Sequence, residues 1–526
     1  MDYKLLLLFC YAVSAVGYKF LVTVPGISGS QNMLLYHIAN MLGDRNHSVT
    51  ILNPVFLKDT KKPKLHKGVE EISYSAITDP DIEEELKDIT STQTWKATEN
   101  QFKFMASAKT MFRAVSDGCN LTLSDKNLLK KIKDKKFDVA VIHIFDICSF
   151  GIAEASGISG TVWVSTAFNV DFMTWFSAAP MPLSYVPSGP LSATDHLTLP
   201  QRMINVISYG LINFMFQQFM LPPYNQLFQE HFGKDFPTAD QLLRKADLHF
   251  INADPLFDYP RPLMPNVIYV GGLVMANPQP LTSEWSKIAE SQNAKKNGVI
   301  LFSFGSVANT SAMPHQLKME FLRAFGSVKA EVIWRMEGEF PEASAYKNVH
   351  LTKWIPQQDL FGHPNVRLFM THGGFNSITE ATFAGLPLLV IPLFGDQNAN
   401  AVRVERTGTG LVLWADERKA DIIAEKIQTL LTNKSYQETA KRLSSMIKKK
   451  PTSSVDLAIG WLEFLAEFGS LENLLPAAHD LNLFQYFLLD VFACFLFAFF
   501  IVGFIFTCLL KCCYRLICRR SKHKVE

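Results

Sequence analysis

Trp354 opens the stretch of this sequence that could do most chemistry. Gln357 follows, then Thr371-His372-Gly373-Gly374-Phe375-Asn376-Ser377, Glu380, and the pair Asp396-Gln397. The run Val366 to Met370 reads as a strand, Gly373-Gly374 as a turn, and Ser377 to Ala384 as a helix. Backbone N–H groups at such a helix start attract anions, and paired glycines let a phosphate approach the chain closely. Ser377-x-x-Glu380 also has the spacing of a helix capping box, which needs no ligand. A second small-residue loop, Ser28-Gly29-Ser30-Gln31-Asn32, lies between a strand-like run, Phe20 to Val24, and a helical stretch, Met33 to Leu42.

These residues need a frame that brings distant loops together. Strand-like runs recur at Val49 to Leu52, Phe137 to His143 and Thr161 to Val164, with helical patterns between them. Continuous β-branched runs separated by helices argue for parallel sheets covered on both faces. The pattern restarts at Gly298 to Gly305 and continues through Glu331 to Trp334, Val366 to Met370 and Pro387 to Pro392. Helical segments from Arg418 to Lys450 and Ser454 to Phe468 close this second set. The polar, proline-containing stretch Asn277 to Asn297 reads as the linker between two α/β domains. A chain of 526 residues is long enough for both.

Composition narrows the classes further. A formal net charge of +2 gives no field for nucleic acid. Met1 to Gly17 is one lysine, a short apolar core and small residues ending Ala15-Val16-Gly17, the pattern of a cleaved secretory signal. Val491 to Leu510 is an uncharged apolar run, and ~20 residues at ~1.5 Å each match a bilayer core. Lys511, Arg515, Arg519, Arg520, Lys522 and Lys524 follow it, which puts the tail in the cytosol and the bulk of the chain in the lumen or outside. Of eight cysteines only Cys119 and Cys148 fall in the large mature part, so one bridge is the most it can hold, and no metal-ligand spacing is present. Asn46, Asn120, Asn309 and Asn433 begin Asn-x-Ser/Thr sequons, glycan acceptors in a lumenal chain.

The segment from Phe369-Met370-Thr371-His372-Gly373-Gly374 through Asp396-Gln397 resembles the signature of the membrane-bound UDP-glycosyltransferases, the family of the UDP-glucuronosyltransferases. Val270-Gly271-Gly272-Leu273, Phe302-Ser303-Phe304-Gly305-Ser306 and Ala478-His479-Asp480-Leu481 extend the resemblance over nearly the whole chain. It implies a GT-B fold, two Rossmann-like domains facing across a cleft. The implied boundaries are a signal peptide over 1–17, an acceptor-binding domain over 18–276 and a linker over 277–297. A UDP-sugar-binding domain over 298–470, a membrane-proximal segment over 471–490, a transmembrane helix over 491–510 and a basic tail over 511–526 complete the chain. It also implies roles. Trp354 would stack on uracil with Gln357 beside it. His372, Asn376, Ser377, the Gly373-Gly374 backbone and Ser306 would hold the diphosphate. Glu380 would accept from the ribose hydroxyls, and Asp396 and Gln397 would bind the sugar. No metal and no cofactor is implied, UDP-sugar being a co-substrate. The implied reaction is transfer of a hexosyl group, glucose or glucuronate, with inversion, to small lipophilic acceptors. Homo- or hetero-oligomers with family members are the implied protein partners.

Two departures from the family pattern matter. The family's base is a histidine after the first strand, and Gln31 stands there; an amide takes no proton near neutral pH. The orienting acid falls at His143, with Asp146 three residues on. Three readings stay open: His143 is the base, oriented by Asp146; or the acceptor is an amine or an acidic group that needs little help; or the chain binds UDP-sugar but transfers poorly, as a regulatory partner of active relatives. Asn252 stands where the glucuronosyl enzymes carry an arginine for the glucuronate carboxylate, which favours a neutral sugar unless another arginine such as Arg335 compensates. Lys522 and Lys524, fifth and third from the end, look like a dilysine signal for the endoplasmic reticulum membrane, with the catalytic domains lumenal. A membrane-anchored binding module for a lipid is the reading from another class, and UDP binding separates it.

Overall fold

The computed structural model describes residues 17–26, 29–57, 62–77, 79–91, 95, 101–168, 170–189, 191–275, 277–305 and 308–522. Residues 1–16 of the signal segment, Ser28, Ser306, and Lys524 of the tail lie outside the described residues.

Residues up to Leu474 form one compact unit. It holds two all-parallel sheets. In the first, β1 (Lys19–Thr23), β2 (Ser48–Val55), β3 (Val69–Ser75), β4 (Val139–His143), β5 (Gly160–Ser165), β6 (Leu248–Ile251) and β7 (Val267–Tyr269) stand in the order 3-2-1-4-5-6-7. In the second, β8 (Val299–Ser303), β9 (Glu331–Arg335), β10 (Val349–Thr352), β11 (Val366–Thr371), β12 (Leu388–Val390) and β13 (Gly410–Val412) stand in the order 10-9-8-11-12-13. The second sheet repeats the order of the first six strands of the first sheet, with two strands on one side of its first strand and the rest on the other. The strands read as unbroken apolar runs because helices cover both faces; β4 and β8 are buried along their whole length. The two α/β sheets expected from the sequence are present.

Three elements differ from their expected places. Helix α1 runs Gly29–Asp44, so Gln31 sits in its first turn and not in a loop before Met33. The stretch expected as a linker folds into two short helices, Ser283–Ala289 and Gln292–Asn297. Trp285 and Ala294 are their buried anchors, packed with Leu360, Phe361 and Val366 of the second sheet's layer. Burial of one indole outweighs the polar composition there. The helix Ser454–Phe468, expected to close the second set, crosses back onto the first sheet. Ala458, Ile459, Leu462 and Leu465 pack with Phe20, Val139 and Val162. Its apolar stripe fits either sheet, and only the path of the chain decides which.

Cys119 and Cys148 are joined, tying the helix Gln101–Ser124 to α2 (Ile147–Ser156). Helix α3 (Asp171–Phe176) packs against α4 (Leu199–Met215). The second unit, Leu475–Glu526, contains a short helix, Leu483–Tyr486, and the long helix Leu489–Lys522, of which Leu489–Arg515 is long and apolar enough to cross a membrane.

Candidate functional site

Parallel sheets of this order open a crevice where neighbouring strands lead off in opposite directions, at their C-terminal ends. In the second sheet that point lies between β8 and β11, where Ser303 is level with Thr371. The loops that leave there are Phe304-Gly305 and His372-Gly373-Gly374, and they meet. Gly305, at φ +71°, faces the His372 ring so closely that a Cβ would stand 2.6 Å from its Cε1. A Cβ on Gly374 would stand 2.6 Å from Nε2. The histidine is thus framed by two backbone turns that tolerate no side chain. Its Nδ1 lies 3.3 Å from the Thr371 hydroxyl, which accepts from the Gly373 N–H. That hydroxyl keeps a second lone pair as well as its own proton, so it meets Nδ1 as donor or as acceptor. Burial, aided by the Arg335 cation, pushes the His372 pKa down to about 4, so the ring stays neutral at physiological pH. It is a fixed, uncharged imidazole.

Helix α5 (Phe375–Ala384) starts at this donor, with Gly374 as its N-cap and no side-chain cap. The capping-box reading of Ser377 and Glu380 therefore fails: the helix begins two residues earlier, and Ser377 lies inside its first turn. A helix start of this kind attracts anions. Glu380, one turn further on, accepts from Gln357 Nε2 at 2.6 Å. Burial raises its pKa, and the Gln357 and Gln358 amides oppose that rise. Trp354 keeps 55% of its surface exposed, and the Arg335 guanidinium lies 5.5 Å from its ring centroid. An indole held at a cleft edge is a stacking platform for a base. Arg335 is not spare. It pairs with Glu337 at 2.8 Å and donates to the Gly305 carbonyl at 2.7 Å, so it is not the free compensating arginine considered for glucuronate.

Helix α6 (Gln397–Arg406) begins at Asp396. The buried Gln397 carbonyl accepts from the Leu393 and Phe394 N–H groups, which shapes the loop and leaves its amide nitrogen as the group for a ligand. Asn400 was not singled out from sequence, yet it joins the two motifs. Its Nδ2 donates to the Gly373 carbonyl at 2.9 Å and to Asp396 Oδ2 at 2.8 Å. The signal was available, since Asn400 lies one helical turn after Asp396.

In the first sheet the crevice falls between β1 and β4, where Thr23 is level with Ile142. The loop leading to Gln31 and the end of β4 at His143 are thereby neighbours. Gln31 is half-buried in the first turn of α1. The expected His143–Asp146 pairing is not formed. Asp146 is the N-cap of α2, and its oxygens accept from the Ser149 N–H at 3.1 Å and from the Ser149 hydroxyl at 2.5 Å. His143 is fully buried, and its Nδ1 accepts from the Phe145 N–H at 3.3 Å. The ring proton therefore falls on Nε2, 3.5 Å from the Thr166 hydroxyl. Burial drives the His143 pKa down to about 3. Asn252, also fully buried, donates to the Thr166 carbonyl at 3.4 Å.

Among the described residues no group of three or more His, Cys, Asp or Glu could hold a metal ion. The family model described as "UDP-glucoronosyl and UDP-glucosyl transferase" matches residues 19–524. The chain is 32% identical to UDP-glucuronosyltransferase 1-2 of Rattus norvegicus over 495 residues, 93% of this chain and 90% of that protein. It is 33% identical to UDP-glucuronosyltransferase 3A2 of Homo sapiens over 486 residues, 90% of this chain and 89% of that one. In fold it is similar to the spinosyn forosaminyltransferase SpnP, with TM-score 0.57, 17% identity, and coverage of 86% of this chain and all of the other. Os79 from O. sativa, solved with U2F and trichothecene, gives TM-score 0.59 at 13% identity, with the same coverage.

Proposed function

The chain belongs to the family of UDP-glucuronosyl and UDP-glucosyl transferases and is a hexosyltransferase of GT-B fold; from that premise we propose that it moves a neutral hexosyl group, glucose before glucuronate, from UDP to small lipophilic acceptors with inversion. The observation that carries this is the assembly around His372. A fixed neutral imidazole, the N-terminus of α5, an exposed indole, and a carboxylate already paired with Gln357 are the kinds of group that a uridine diphosphate needs. Trp354 takes the base and Glu380 the ribose. His372, Asn376, Ser377 and the Gly374 turn take the diphosphate, with Ser306 proposed beside them from outside the described residues. Asp396 and the Gln397 amide take the sugar. As the bond to the anomeric carbon breaks, charge grows on the diphosphate, and donors already aimed at it stabilise that charge. No cofactor enters the scheme.

The acceptor side supports the second of the three open readings. His143 is a weak base, buried, with its free lone pair committed to a backbone N–H, and Gln31 takes no proton. An amine, or an acceptor already acidic enough to be deprotonated, needs neither. The same geometry favours, as the alternative, a UDP-sugar-binding partner of active relatives that turns over slowly. UDP release with matched phenol and amine acceptors tests both: amine acceptors no better than phenols defeat the amine reading, and robust turnover defeats the regulatory one. Asn252, neutral and buried, supports a neutral sugar, and faster turnover with UDP-glucuronate than with UDP-glucose would reject that part.

A membrane setting is supported by the apolar helix Leu489–Arg515 and by α4. Helix α4 is turned inside out. It buries Asn205 and Asn213, and it exposes Leu199, Met203, Ile207, Leu211 and Phe214. Such a face suits hydrocarbon and not water. We place the protein in the endoplasmic reticulum membrane with its catalytic part lumenal. Protection of unit 1 from added protease in sealed microsomes is the check.

A further inference from the structure

Arg403 lies two turns along α6 from Asp396, and it is buried together with the group that it meets. Its Nε donates to Asp258 Oδ1 at 2.9 Å, across to the layer of the first sheet. Its Nη1 donates to the Ala399 carbonyl within α6 at 3.1 Å. The planar guanidinium is clamped between two rings of the first half, 3.8 Å from the Phe168 centroid and 4.4 Å from that of Tyr259. Asp258 is fixed in turn, accepting from the Tyr269 hydroxyl at 2.8 Å and the Tyr259 N–H at 2.8 Å, with Arg261 at 3.4 Å. Phe168 also packs edge-on against Phe375, the first residue of α5, at 6.1 Å. Phe168 follows Thr166, the residue that meets both His143 and Asn252. A second contact, Arg406 to Asp195 at 2.7 Å, holds the far end of the same helix.

A surface ion pair between the halves would hold them loosely. This one is desolvated, and the planar guanidinium makes one N–H bond to Asp258 while rings cover it on both sides, which restrains the helix against the first half. The near end of that helix carries Asp396, Gln397 and Asn400. We propose that Arg403 is a positioning residue for transfer: it is the joint through which the acceptor-side half sets the sugar-binding end of α6, while the uridine platform at Trp354 and Glu380 stands outside its reach.

The inference rests on the donor-site reading above, and the test separates the two. The full chain in detergent micelles is titrated with UDP, and UDP release is followed with whichever of UDP-glucose and UDP-glucuronate turns over faster. Wild type, Arg403→Lys and Phe168→Leu are compared, and Tm shows that each variant is folded. Lys keeps the charge and loses the planar clamp; Leu removes one ring and no charge. The expected result is a KM for UDP-sugar raised about tenfold in Arg403→Lys and a few-fold in Phe168→Leu. The Kd for UDP stays within about twofold. Asp258→Asn combined with Arg403→Lys adds less than the two changes apart, as contacting residues do. Kd and KM rising together overturn the inference, because the change is then general loosening. Unchanged KM in both single variants also overturns it. A wild-type chain that binds no UDP defeats the donor-site reading instead.

Discussion

The two sheets share one strand order over six strands, and each opens a crevice beside its own first strand. What stands in the two crevices differs. In the second sheet the groups are tied to one another before any ligand arrives: His372 to Thr371, Gln357 to Glu380, Asn400 to both Gly373 and Asp396. In the first sheet the groups expected to cooperate are tied elsewhere, Asp146 to its own helix and His143 to the Phe145 backbone. A site preorganised for charge works with fixed donors. A site for proton transfer needs a free lone pair, and the Nδ1 lone pair of His143 is committed to a backbone N–H. Our proposal accordingly gives the donor half fixed groups for the UDP-sugar and the acceptor half a preference for acceptors that need little deprotonation.

The contrast can be broken first at its strongest point. His372→Ala removes a proposed donor to the leaving diphosphate and should lower kcat about 10²- to 10³-fold, the loss found for one such donor. UDP release at saturating donor measures it, and a loss under tenfold would show that the donor half is not preorganised around this ring. Trp354→Ala should weaken UDP by about 1–3 kcal/mol, the worth of one base–aromatic stack. Calorimetric titration measures that, and unchanged affinity would move the base elsewhere. Gln357→Ala frees Glu380 from its partner and should weaken UDP by about 1 kcal/mol through the lost hydrogen bond; UMP titration reads it without the sugar.

The acceptor half gives a smaller effect, seen in stability. The His143 pKa, about 3, lies below the ordinary imidazole value of 6.5. Between those values the unfolded chain binds a proton that the folded chain does not, so this residue makes stability fall as pH falls from about 6.5 toward 3. His143→Gln should flatten the decline of Tm between pH 6.5 and 4 relative to wild type. A parallel decline in both proteins would mean that the ring is not held neutral.

How far the sequence could be read follows the same divide. The β11 loop and the helix after it are legible because strand, glycine turn and helix start are encoded in adjacent residues. The parallel sheets were legible from unbroken apolar runs. Helix α1 starts earlier than local propensity suggests, because Gly29 and Ser30 have the composition of a loop and tertiary packing overrides it. The return of Ser454–Phe468 to the first sheet and the Asp258–Arg403 pair, 145 residues apart, depend on contacts no local pattern encodes. The state of His143 was hidden for a related reason. Its residue type suggests a base, and only its burial and the Phe145 N–H show where the lone pair goes.

The most direct test of this account is UDP release from the preferred donor with a phenol acceptor, for wild type and Gln31→His. The account predicts that the new imidazole in the first turn of α1 raises kcat with KM for the UDP-sugar unchanged, while His143→Gln leaves the wild-type rate nearly intact. A Gln31→His variant no faster than wild type, together with loss of activity in a folded His143→Gln, would contradict it and return the proton to His143.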